Sequence, residues 1–409
     1  MNHRSTKGKS VRTTEVAADF GALGEEFTRN PYPVYAGLRA RGPVHRVRVP
    51  EGAEGWLVVG YEACRAALTD PALSKSWRDA SPALPLTRLS AGENLLSSNP
   101  PDHTRLRRLV AREFTTRRIE GLAPRVAALT GELLDAMLAR AEGRADLVDA
   151  LAFPLAMGII CELLGVPSLD RAAFRGWAED ALSSPDQETR TAATGSMTRY
   201  LVAMVAEKRG LPGDDLMSAL IRTTDEAGDR LSPDELIGMA WLLLVTGFET
   251  TVNLIASGVL TLLRHPEQLA ALRAEPGLVD NAVEEVLRYE GPVETTTYRF
   301  TTTPVEIGGV TVPGGGELVL IALADADRDP ARFAEPQRFD IRRPTGGHLA
   351  FGHGVHYCLG APLARLQARI VLNALLARCP GLALAVDPTE LSWRHGLLIR
   401  GPRRLPIGW

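Results

Sequence analysis

Apolar residues recur at helical spacing through most of the chain. Pro31 to Arg41, Tyr61 to Leu68, His103 to Phe114, Arg118 to Arg140, Thr191 to Arg209 and Pro276 to Tyr289 all carry the pattern. Strand signals are shorter and cluster. Gly55 to Gly60 (GWLVVG) predicts one strand, and Val305 to Ile321 predicts several, broken at Gly308-Gly309 and at Gly314 to Gly316. The pattern therefore predicts a mainly α protein with small β-sheets. No internal repeat, low-complexity tract or long linker interrupts Asp19 to Trp409, which predicts one large domain over residues 15–409.

The most informative helix opens at Ser232-Pro233-Asp234-Glu235, a capping-box sequence with proline at the first helical position, and meets no breaker until about Arg264. At 1.5 Å per residue it spans roughly 50 Å. Leu236 to Leu263 is almost uncharged, a composition that a membrane span shares. Glu249 and Asn253 lie near its middle, where a carboxylate is costly unless it faces protein, water or a ligand. The helix is therefore expected to cross a large protein core.

Composition narrows the class without deciding it. Hydrophobic residues at 45%, charged residues at 23% and a net charge of -3 are ordinary globular values and predict no nucleic-acid partner. Residues 1–14 are polar and basic and carry no apolar run, so they are expected to be a disordered tail, neither signal peptide nor membrane anchor. Cys64, Cys161, Cys358 and Cys379 lie far apart and form no CxxC, which argues against zinc, iron-sulfur and disulfide frameworks and predicts a reducing cytoplasm.

Cys358 stands apart from the other three. It follows a glycine-rich run (FGHGVHYCLG, Phe351 to Gly360) and precedes an amphipathic helix, Ala361 to Arg378. Amides and the positive end of a helix dipole then point at its sulfur, which favours thiolate. A single thiolate suits a haem iron. The other readings are a buried structural cysteine and a nucleophile activated by His356.

The run Phe351 to Gly360 resembles the haem-binding loop of the cytochrome P450 family, Phe-Gly-x-Gly-x-His-x-Cys-x-Gly, at every defined position. Glu285-Val286-Leu287-Arg288 is similar to that family's Glu-x-x-Arg, and Phe333 to Phe339 (FAEPQRF) to its meander, with Arg338 at the arginine position. The resemblance spans nearly the whole chain. It implies the triangular cytochrome P450 fold and haem b with Cys358 as axial ligand. It also implies a loop contributing Phe351 and Gly352, and propionates held by His103, Arg107, Arg299 and His356. Glu285 and Arg288, which as a surface pair would contribute only about 0.2–0.5 kcal/mol, are expected to form a buried network with Arg338.

Thr246-Gly247-Phe248-Glu249-Thr250-Thr251 resembles the family's oxygen-activation motif, with Glu249 as acid and Thr250 as alcohol. Gly247 costs about 1 kcal/mol in a helix interior, and threonine hydroxyls can bond the i−4 carbonyl, so this turn can open into a groove for dioxygen and water. Thr246 departs from the family's usual alanine or glycine and narrows the pocket there. The implied reaction is hydroxylation or epoxidation with O2 and NAD(P)H. A haem sensor or carrier without turnover, and a cysteine-nucleophile hydrolase, are the rival readings.

No flavin or ferredoxin module is recognised, so electrons are expected from a ferredoxin and ferredoxin reductase, docking on Arg105, Arg108, Arg112, Arg117, Arg118, Arg365 and Arg369. The chain looks most like actinomycete enzymes of this family that tailor macrolides and other polyketides. Its expected substrate pocket comprises Leu243, Thr246, Phe248, Val293, Thr295, Thr297 and Leu397, with Glu93 in a lid from Lys75 to Asn99. That lid sets Arg78 and Arg88 against Asp79 and Glu93, which predicts a neutral macrolactone, or one whose amine stays in solvent.

Overall fold

The computed structural model describes residues 15–409 apart from 87–91, 168–170, 184–185, 224–227 and 345. The expected tail over residues 1–14 lies outside the described residues, as does Arg88.

The central helix, Pro233–Arg264, begins where the sequence places it. Ser232 Oγ accepts from the Glu235 amide at 3.2 Å and Glu235 Oε2 accepts from the Ser232 amide at 2.7 Å, closing the capping box. Helices Phe153–Leu164, Gln187–Gly210, Val279–Glu290 and Ala361–Arg378 pack around it, and their apolar faces merge into one large core. Its most apolar stretch is 78% buried inside the protein. Hydropathy sufficient to cross a membrane is spent here on the protein interior.

A six-stranded sheet flanks the helices in the order Ala18–Asp19, Val44–Arg48, Glu54–Val58, Leu318–Ile321, Arg299–Thr301, Leu73–Ser74. Glu54–Val58 and Leu318–Ile321 run parallel with Leu57 opposite Leu320; Arg299–Thr301 returns antiparallel with Arg299 opposite Val319. Ala383–Leu384, Pro406–Gly408 and Arg144–Asp146 form a second sheet, and Val305–Ile307 pairs with Val310–Val312 as a hairpin. The mainly helical, small-sheeted expectation holds.

Details differ for physical reasons. The helix expected over Arg118 to Arg140 is two, Thr116–Gly121 and Ala123–Leu138, the second starting with Pro124 in its first turn, where proline's missing N–H costs nothing. Pro276–Leu278 is a 3₁₀ turn ahead of Val279–Glu290. Phe153–Leu164 (FPLAMGIICELL) has no polar face and so shows little period, because it is buried on nearly every side.

Candidate active site

Glycines shape the loop that presents Cys358. Gly352 and Gly354 both sit at φ +74°, a region that side chains resist, and the Cys358 amide donates back to the Phe351 carbonyl at 2.9 Å. The cysteine thus stands at the foot of Ala361–Arg378. Cys64, Cys161 and Cys379 are buried, whereas Cys358 is accessible although protein crowds it on most sides, so its open face lies in a recess. Burial pushes its thiol pKa up; amides of Gly360 and Ala361, then Arg107 and Arg365, oppose that rise. Arg365 lies 4.5 Å from the Phe351 ring centre and is held by Glu284, bonded at 2.6 and 2.8 Å. Burial opposes ionisation of Glu284, but bonds from Arg365 and His348 hold its pKa at about 2.

Four segments bring basic groups together beside this loop. The His103 and His356 rings are 4.2 Å apart, and Arg107 spends two donors on the Val355 and Tyr357 carbonyls at 2.9 and 2.8 Å. Arg299 donates to the Leu73 and Leu68 carbonyls at 3.2 and 3.3 Å. Both ring nitrogens of His103 and Nε of Arg299 are buried without a partner. Such orphans are rare and point to a ligand. Burial, then Arg107, lowers the His103 pKa to about 4. Burial followed by His103, Lys75, Arg299 and Arg107 lowers that of His356 to about 2, and burial takes Arg299 down to about 10 against the pull of Asp70. Lys75 was missed by sequence reading, since nothing in the run Ser74-Lys75-Ser76 separates a buried amine from a surface one.

On the central helix, the accessible positions between Gly238 and Leu262 are Leu243, Thr246, Gly247 and Thr250. Their spacing of i, i+3, i+4, i+7 is one helical face. The helix stays α-helical through this turn, with Thr246 Oγ1 donating to the Leu242 carbonyl at 2.7 Å and Thr250 Oγ1 to that of Thr246 at 2.8 Å. A methyl at Gly247 would sit 2.7 Å from Ile160, so glycine there admits the Phe153–Leu164 helix as well as weakening the turn. Phe248 is corrected: it is buried 5.8 Å from the Phe153 ring, away from the open face. Glu249 is also off that face. Its Oε1 meets Arg394 Nη1 at 2.7 Å, and Arg394 Nε reaches Asn253 Oδ1 at 3.3 Å, joining the helix to a hairpin with Trp393 opposite Pro402.

The Glu285–Arg288 pair is fully buried, bonded at 2.7 and 2.8 Å. Its expected third member is corrected. Arg338 is 58% exposed and pairs with Glu335 and Asp340, offering the network only its backbone carbonyl. Arg343 takes the inner place, 3.4 Å from Glu285 Oε1. Phe339 turns into the core, while Gln337 and Arg338 just before it both face solvent.

The expected pocket segments are placed unequally. Val293 is half-buried and bridges Ile399, while Thr295 is buried with its hydroxyl on the Leu397 carbonyl at 2.9 Å. Leu397 packs into the sheet cluster with Phe300 and Leu320 rather than standing open. Thr297 accepts from the Lys75 amine. The lid closes at its root: the Lys75 amide donates to Asn99 Oδ1 at 2.8 Å, and Asn99 Nδ2 to Ser74 Oγ at 2.6 Å. Glu93 meets Arg78 at 3.1 Å. Of the expected docking arginines, Arg105 is turned to Asp229 and Glu235, Arg365 to Glu284, and Arg369 to Asp280.

A buried, basic pocket with unpaired donors beside a thiol in a recess fits a planar metal-bearing dicarboxylate, so the residues present fit haem. Fold and site together define the haem-thiolate class. A model of the family described as "Cytochrome P450" matches residues 190–383. The chain is 58% identical to cytochrome P450 monooxygenase PikC of Streptomyces venezuelae over 96% of its length and 94% of that protein's. It is 44% identical to 6-deoxyerythronolide B hydroxylase of Saccharopolyspora erythraea over 92% and 95% of the two chains. The solved structure of the tirandamycin C-bound P450 monooxygenase TamI superposes with a TM-score of 0.87 at 43% identity, covering 94% of this chain and 99% of that one. This chain belongs to the cytochrome P450 family and is a monooxygenase of that family, which uses haem and dioxygen.

Proposed function

We propose that this protein hydroxylates or epoxidises a bulky, mostly apolar macrolide or other polyketide in the cytoplasm. Electrons come from NAD(P)H through a ferredoxin reductase and ferredoxin. The observation that carries the chemistry is the accessible Cys358 beside a basic pocket in which the His103 ring nitrogens and Arg299 Nε lack partners. Haem b, when bound, supplies dioxygen activation and substrate oxidation. Cys358 would hold its iron, and His103, Arg107, Arg299 and His356 would hold its propionates. Thr250, on the open helix face, can turn its hydroxyl from the Thr246 carbonyl toward the pocket. Glu249, tied through Arg394 to the surface hairpin, passes a proton from solvent to Thr250 Oγ1. Leu243, Thr246, Val293 and Thr297 line the substrate side.

The names of the relatives support the polyketide reading, and Glu93 favours a neutral lactone, because Arg78 already answers its charge. Reduced protein should bind carbon monoxide with the red-shifted Soret band of thiolate ligation, and Cys358→His should lose it. Retention of that band in Cys358→His, with loss in Cys64, Cys161 or Cys379 replacements, sinks the ligand assignment. For the substrate, a macrolactone aglycone should shift the haem spin state; tight binding only of its amino-glycoside, abolished by Glu93→Gln, sinks the neutral-ligand reading.

A further inference from the structure

We propose that Lys75 is a further propionate-binding residue, one that couples occupancy of the haem pocket to the root of the lid; this rests on the haem reading above. Lys75 is 5% exposed, and its Nζ donates to the Thr297 and Tyr298 carbonyls at 3.0 Å each and to the Thr297 hydroxyl. All three acceptors are neutral. A buried ammonium with no anion is costly, and burial followed by the nearby Arg299 guanidinium drives its pKa well below the usual lysine value. Ser74 pairs with Phe300 in an antiparallel register that sets Lys75 beside Arg299, so its amine, on the Thr297 and Tyr298 carbonyls, lies next to the orphaned Nε of Arg299.

Charge matching points the same way. A dicarboxylate brings two negative charges. Arg299 is buried in the pocket, whereas Arg107 lies at its outer side, spending its donors on the Val355 and Tyr357 carbonyls. Lys75 is the second buried cation, and the bond to the Thr297 hydroxyl is the one it can exchange for a carboxylate, since both carbonyl bonds can persist. Its backbone carries the second half of the role: the Lys75 amide is bonded to Asn99 Oδ1, where the lid begins and ends. A propionate that anchors the amine therefore also steadies the junction of Ser74 and Lys75 with Asn99.

Haem transfer to an excess of apomyoglobin tests this without turnover. Lys75→Met should release native haem about tenfold faster than the wild type, as expected for loss of one charge-assisted bond, and Lys75→Arg should restore most of the retention. Reconstitution with haem dimethyl ester, whose propionates are uncharged, should bring wild type and Lys75→Met to the same rate. Native haem should slow trypsin cleavage at Arg78 in the wild type more than in Lys75→Met. If Lys75→Met folds poorly, Lys75→Gln, which keeps two donors for the carbonyls, takes its place. Equal release of native haem from wild type and variant overturns the proposal, as does an equal acceleration with native and esterified haem, which would make Lys75 only a structural tie. A wild-type protein that takes up no haem would instead fail the reading beneath it.

Discussion

One arginine turned inward and another turned outward, five residues apart, separate a buried charge network from surface decoration. Arg343→Ala removes the second cation from Glu285, which keeps Arg288, and leaves the Ala334, Glu335 and Arg338 carbonyls without their donor, so it should cost about 1–3 kcal/mol. Arg338→Ala removes exposed pairs and should cost under about 1 kcal/mol. Urea unfolding of the two variants checks this, and comparable losses would mean that Arg343 does not close the network. Thr250 makes the second residue-level prediction. Thr250→Ala should still consume NAD(P)H while shifting product toward peroxide, by about tenfold or more in product per electron pair, because proton delivery suffers and electron delivery does not; unaltered coupling removes Thr250 from the relay. At this scale the sequence was legible where function is written in neighbouring positions. Cys358 could be found because its glycines, histidine and following helix are contiguous. Arg338 was mistaken for Arg343, and Lys75 was overlooked, because the direction a side chain takes in an irregular segment depends on packing far away in sequence.

Among the elements, the central helix shows both sides of this legibility. Its start was readable from the four residues of the capping box, and its burial from the awkward position of Glu249 and Asn253. Which face opens was not readable, because Leu236 to Leu263 is so uniformly apolar that no period marks the Leu243, Thr246, Gly247, Thr250 stripe, and Phe248 was accordingly assigned to the wrong side. Helix Phe153–Leu164 escaped for the same reason. The hairpin that delivers Arg394 was invisible as well, since its pairing joins short irregular segments. It nonetheless carries a prediction. Arg394→Gln should leave haem binding intact but slow product formation on the order of tenfold with a larger solvent deuterium isotope effect, while Arg394→Lys recovers much of the rate. A rate unchanged in Arg394→Gln would show that Glu249 needs no partner from the hairpin.

For the molecule as a whole, the net charge of -3 hides a local basic region. Arg112, Arg118 and Arg222 line one surface hollow together with Glu113 and Thr223. An acidic ferredoxin steered to this side should reduce the protein more slowly as salt shortens the Debye length below about 10 Å, and Arg112→Glu should slow reduction about tenfold at low ionic strength. Stopped-flow reduction that ignores both salt and charge reversal would place docking elsewhere. The closed root of the lid has a consequence on an evolutionary scale. Because Asn99 fastens back onto Ser74 and Lys75, the stretch strung between them is a cartridge with its own clasp. Lengthening a flexible loop even twofold costs only about 0.6 kcal/mol in closure entropy. Changes at the exposed positions of this segment, away from Trp77 and Leu95 that pack into the fold, can therefore alter substrate taste while the iron-binding side of the scaffold stays untouched.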